Sequence, residues 1–99
     1  MFYEFGRFRL DADAHVLFRD EKRIPLTPRA LDVLVTLVEN RGTPVARHDL
    51  LGKVWSDVIV EDGTLSSHIS LLRRTLGPQF IETIPKRGYR FVGTVEEHR

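Results

Sequence analysis

No cysteine occurs among the 99 residues, which excludes a disulfide framework and a thiolate metal site and permits a reducing compartment. No stretch approaches the roughly 20 consecutive apolar residues that a membrane-spanning helix needs. Net charge is only +1 at pH 7, so no global field marks a polyanionic partner. Met1 runs straight into the alternating Phe2-Tyr3-Glu4-Phe5, so no signal peptide is expected. His15, His48, His68 and His98 lack metal-ligand spacing, no Gly-rich phosphate loop precedes a helical pattern, and Ser66-Ser67-His68 are neighbours without a buried acid partner. An enzyme is therefore not expected, and no catalytic residue, metal, cofactor or small-molecule substrate is assigned. Composition, at 41% hydrophobic and 29% charged, is that of a globular chain. Its length suits one domain, residues 1–99, able to bury about two-thirds of its unfolded surface.

The positive charge that is present is unevenly placed. From Thr64 to Gly93, Arg73, Arg74, Lys86, Arg87 and Arg90 stand against Glu82 alone, five cations against one anion, a surplus of four. The chain is organised around this region. Leu65, Ile69, Leu72 and Leu76 recur at spacings of four, three and four, the period of a helix with one buried stripe, predicted over residues 62–76. Glu61 or Asp62 is positioned to cap its start, and Gly77-Pro78 stops it. The opposite face carries Gly63, Ser67, Ser70, Leu71 and Arg74, flanked by Thr64, His68 and Arg73. Small polar groups beside cations suit a surface that lies against another polymer, and such a helix is slim enough to enter a DNA major groove.

Upstream, Phe2–Phe5, Phe8–Leu10, Val16–Arg19 and Arg23–Leu26 alternate between polar turns, predicting a small antiparallel sheet of four short strands over residues 1–26, read as scaffold. Three helices fill residues 27–77. Thr27 caps the first with Pro28 at its first position, and Leu31, Leu34, Val35, Leu37 and Val38 form its apolar face. Thr43-Pro44-Val45 is an extended link to a second helix from Arg47 to Trp55, where Trp55 continues the apolar stripe as a core anchor. The connection Ser56-Asp57-Val58-Ile59-Val60 either tucks its β-branched residues into the core or exposes part of them to a partner protein.

Residues 78–95 read as a hairpin: Ile81–Ile84 and Tyr89–Val92 flank Pro85-Lys86-Arg87-Gly88, where Gly88 supplies a positive φ. Two adjacent cations at a tip are not core residues. Lys86 and Arg87 suit a wing, residues 84–89, that touches phosphates or a minor groove. Glu96 to Arg99 is read as the start of a linker in a longer regulator.

The order of four strands, three helices and a basic hairpin resembles the OmpR/PhoB-type winged helix-turn-helix domains, particularly the N-terminal domains of ToxR- and CadC-type one-component regulators. The likeness rests on LTPRALDVLVTLVENRG (26–42), DLLGKVW (49–55), VEDGTLSSHISLLRRTLG (60–77) and IETIPKRGYRF (81–91). It implies an α+β fold and sequence-specific binding of double-stranded DNA in bacterial transcription regulation, with the Leu65 helix in the major groove. By position, Ser67, Ser70, Leu71 and Arg74 fall near the bases, and Thr64, His68, Arg73 and Tyr89 at phosphates or the groove edge. Lys86 and Arg87 fall at the wing tip, and Ser56, Asp57, Val58 and Ile59 match a loop that contacts RNA polymerase. It further implies tandem sites bound by a head-to-tail pair in the cytoplasm, with membrane tethering only through segments beyond residue 99. Many relatives carry arginine where this chain has Gly63, Leu71 and Pro85, and an acid where it has Ala30. Leu71 cannot chelate guanine but can meet a thymine methyl. The alternative is a winged helix that binds protein alone, whose affinity would barely depend on salt.

Overall fold

Strand alternation in the first quarter of the chain sets two faces apart. In the computed structural model, which describes residues 1–61 and 63–99, β1 (Phe2–Phe5), β2 (Phe8–Asp11), β3 (Val16–Arg19) and β4 (Lys22–Ile24) form an antiparallel meander. Tyr3, Phe5, Phe8, Leu10 and Leu17 are buried beneath it while Glu4, Arg9 and Arg23 are exposed, as a period of two demands. Asp20-Glu21, both at positive φ, make the two-residue turn between β3 and β4.

Helix α1 (Pro28–Glu39) starts as its sequence dictates: the Thr27 hydroxyl accepts from the Ala30 N–H, and Pro28 occupies the first turn. Helix α2 (Arg47–Val54) ends one residue before Trp55, which is buried as an anchor. Arg29 closes that end, donating to the Val54 carbonyl with its guanidinium over the Trp55 ring. Helix α3 (Thr64–Leu76) buries Leu65, Ile69, Leu72 and Leu76, the predicted stripe. It begins two residues later than predicted, because left-handed Gly63 holds the N-cap position and so Glu61 cannot cap it with its side chain; Asp62 lies outside the described residues.

Strands β5 (Ile81–Ile84) and β6 (Gly88–Phe91) form the hairpin. Phe80 and Phe91 stack on one another and meet Phe5 edge-on, tying the hairpin root to the underside of the sheet. The sheet has five strands, not the four expected. β7 (Glu96–His98), read from sequence as a linker, pairs antiparallel with β1 and completes the order β4-β3-β2-β1-β7. A free strand edge accepts any extended backbone, and the charged Glu96-Glu97-His98 gave no apolar signal of it.

Candidate nucleic-acid interface

The exposed face of α3 follows from its buried one. With Leu65, Ile69, Leu72 and Leu76 facing the core, Ser67, Ser70 and Arg74, at spacings of three and four, share the solvent face, and Leu71 is half-buried at its margin. Thr64 and His68 sit on the flank. The His68 ring meets Trp55 edge-on at 5.0 Å, and its Nδ1 lies 2.8 Å from the Thr64 carbonyl, the geometry of an N–H donated to that oxygen.

Arg73, expected at the phosphates, is engaged within the protein. Its Nε and Nη2 donate to the Ile81 carbonyl at 3.1 and 3.0 Å, and Nη2 donates to Thr83 Oγ1 at 2.7 Å. The guanidinium also lies 6.0 Å from the centre of the Tyr89 ring. The helix is thereby braced to the first strand of the hairpin by charge-assisted bonds.

At the hairpin tip the turn Ile84-Pro85-Lys86-Arg87 is closed by the Arg87 N–H on the Ile84 carbonyl at 2.9 Å. Lys86 takes φ of 66°, so the left-handed residue in the turn is a lysine behind Pro85, and Gly88 lies at 132°. Gly88 answers a second demand that the sequence did not disclose. A Cβ there would stand 2.0 Å from the Val45 carbonyl oxygen, because Val45 and Tyr89 exchange both backbone hydrogen bonds, at 2.7 and 3.0 Å. The link before α2 thus runs as a third rung beside β6.

That rung delivers a residue missed in the sequence. Arg47, the first residue of α2, donates through Nη1 to the Tyr89 hydroxyl at 3.0 Å and to Ser66 Oγ at 3.3 Å, joining α2, α3 and β6. A groove beside it is lined by Arg47, His48, Lys86, Arg87 and Tyr89. Tyr89 is itself buried, its hydroxyl serving as the acceptor for Arg47. The available signal was electrostatic: a cation at a helix N-terminus opposes the macrodipole and needs another partner.

The connection between α2 and α3 divides. Val60 packs on the core, whereas Val58 is 49% and Ile59 103% exposed, with Ser56 and Asp57 also in solvent. Among the described residues, no helix is long and apolar enough to cross a membrane.

A three-helix unit with one helix braced against a basic hairpin is the winged helix-turn-helix class, here preceded by an antiparallel sheet. The family described as "Transcriptional regulatory protein, C terminal" matches residues 21–91, and the chain belongs to it. It is 38% identical over 93 residues to the transcriptional regulator HilA of Salmonella typhimurium, covering 90% of this chain and 17% of HilA. Against the transcriptional activator CadC of Escherichia coli it is 30% identical over 93 residues, covering 88% of this chain and 18% of CadC. The solved DNA-binding domain of Escherichia coli CadC superposes with a TM-score of 0.86 at 27% identity, over 98% of this chain and 96% of that one. DrrB of Thermotoga maritima, an OmpR/PhoB homologue, gives 0.82 at 32% identity, over 93% and 44%. The chain therefore spans about a sixth of the length of HilA and CadC.

Proposed function

We propose that this domain binds double-stranded DNA in transcription regulation, with α3 in the major groove and the hairpin tip at the adjacent minor groove. The observation that carries the reading is the junction at Arg47. It gathers the start of α2, Ser66 of α3 and Tyr89 of the hairpin, with Lys86 and Arg87 lining the same groove. Cations from separate elements that line one groove are an electrostatic footprint for a phosphate backbone. The match to a DNA-binding domain over nearly its whole length supports it.

In this arrangement Ser67, Ser70, Leu71 and Arg74 face base edges, with Arg74 the one long donor among them. Arg47, Lys86 and Arg87 contact phosphates, with Thr64 and His68 at the groove edge. Arg73 and Tyr89 hold the wing and helix in register rather than carrying the affinity. Helix α3, with 13 residues, is about 20 Å long, enough to cross one groove. Few direct base contacts from one domain give modest selectivity, which two copies bound head-to-tail on tandem sites multiply. The exposed Val58 and Ile59, with Ser56 and Asp57, offer an apolar contact for RNA polymerase. Because the chain spans about a sixth of the length of HilA and CadC, the domain acts as the DNA-binding part of a longer regulator.

Fluorescence anisotropy with a random-sequence duplex across a salt series tests the reading. Non-specific binding is expected at about 10⁻⁴ to 10⁻⁶ M near physiological salt. Lys86→Ala/Arg87→Ala should flatten the slope of log K against log salt by about one to two units. No binding even at low salt would overturn the proposal and favour a protein-only partner.

A further inference from the structure

The pairing of β7 with β1 brings together three side chains that the sequence keeps at opposite ends. Glu4 stands directly across the ladder from Glu96, and Phe2 across from His98. Because alternate strand residues share a face, Glu96 and His98 project to the same side as Glu4, away from the buried Tyr3 and Phe5. His98 Nε2 lies 2.7 Å from Glu4 Oε1 and 3.7 Å from Glu96 Oε2. One donor atom from each of the three residues falls within 4.8 Å of the others.

We propose that Glu4, Glu96 and His98 form a site for a divalent transition-metal ion of the zinc type, clasping the last strand to the first. Four features converge on it. Carboxylates placed directly opposite one another in a sheet repel, so Glu4 across from Glu96 favours a positive charge between them. Nε2 of His98 is occluded from solvent and, among the described residues, has no hydrogen-bond partner, while both carboxylates stand beside it. The imidazole plane is fixed, stacked on the Phe2 ring at 4.7 Å and 12°. Lastly, one imidazole with two carboxylates is a donor set for zinc and its neighbours, whereas calcium and magnesium prefer all-oxygen shells.

The fit is close. Zinc with ligands at about 2.0–2.2 Å keeps its donors about 3.4 Å apart in a tetrahedron, so side-chain rotations of about an ångström complete the set, with water in the fourth position. Histidine spacing does not register this set, because Glu4 meets Glu96 and His98 only through the pairing of β1 with β7.

Isothermal titration of Zn²⁺ into the full chain at neutral pH, with amide shifts followed by NMR, tests this directly. Saturable one-to-one binding is expected, with shifts centred on residues 2–4 and 96–98. His98→Ala and Glu4→Gln should each weaken binding by about 10–100-fold or more, since loss of an outer-shell partner alone has that effect. His48→Ala, removing an exposed imidazole elsewhere, should leave it unchanged. Circular dichroism verifies that each variant is folded, and Glu4→Gln, which keeps the Phe2–His98 stack, carries the test if His98→Ala loosens β7. Absence of saturable binding, binding that survives both variants, or shifts centred on other residues would overturn the proposal. DNA affinity is measured separately and does not enter this result.

Discussion

Replacing Gly88 by alanine tests the join between the hairpin and the link before α2. The new Cβ meets the Val45 carbonyl oxygen at 2.0 Å, the Val45 carbon at 2.8 Å and Ala46 Cα at 2.9 Å, all backbone atoms that cannot swing aside. Either the Val45–Tyr89 rung opens or the turn is rebuilt. Opening the rung removes two backbone hydrogen bonds, a net loss of about 2 kcal/mol. Holding an alanine at φ of 132° adds about 1–2 kcal/mol. The sum, about 3–4 kcal/mol, is a large part of the roughly 5–15 kcal/mol that keeps a domain folded. At about 4–8 °C per kcal/mol for a chain of this size, the melting midpoint should fall by about 12 °C or more. Gly42→Ala separates strain from collision: its φ is 83° but none of the described residues lies within 4 Å of the added Cβ, so only the strain of about 1–2 kcal/mol applies. Thermal melts by circular dichroism and hydrogen exchange at the Val45 and Tyr89 amides supply the readout. If Gly88→Ala melts no lower than Gly42→Ala and keeps both amides protected, the reasoning fails.

Other perturbations separate bracing from contact. Arg73→Met should destabilise the fold by about 1.5–3 kcal/mol through loss of its charged donors to Ile81 and Thr83, yet leave the salt slope of DNA binding unchanged; a slope that flattens by a full unit would return Arg73 to the phosphates. Lys86→Gly should raise the melting midpoint, by relieving a left-handed lysine worth about 1 kcal/mol, while lowering the salt slope by about one unit. Ile59→Ser should change transcription output in a promoter assay with DNA affinity unaltered, since the side chain is wholly exposed; a loss of affinity refutes the division of roles. The hydrogen bond from Arg7 holds the Asp20 carboxyl below its ordinary value, so this pair stabilises the fold above the unfolded value of about 4 and ceases to do so as pH falls through the lower folded one. Asp20→Asn should therefore show a smaller loss of melting temperature on acidification than the wild type.

Most of the fold could be read because its signals are local. The leucine stripe of α3, the Thr27-Pro28 start of α1 and the alternation from Phe2 to Arg19 each lie within a few residues of chain. The α3 face bearing Ser67, Ser70 and Arg74 was legible for the same reason, since knowing the buried stripe fixes its opposite. What was hidden depends on partners distant in sequence. β7 exists because β1 offers an edge, the inward engagement of Arg73 depends on where the Ile81 carbonyl falls, and the junction at Arg47 requires residues 47, 66 and 89 to meet. A cation in a helical pattern looks the same whether it faces solvent or a carbonyl. Gly88 was identified for its φ, but its collision with Val45 is tertiary and has no sequence signature.

The two braces, Arg73 from α3 to β5 and Arg47 between α3 and β6, have a consequence for how a duplex would be chosen. They tie the helix to both strands of the hairpin and so hold the gape between them, as the jaws of a calliper are held at one setting. Where the protein does not yield, the nucleic acid must, and sequences differ in the energy needed to narrow or widen a groove. A domain so braced would measure stiffness as well as spelling. Base pairs lying between the two jaws, touched by neither, would then influence affinity through the ease with which they bend.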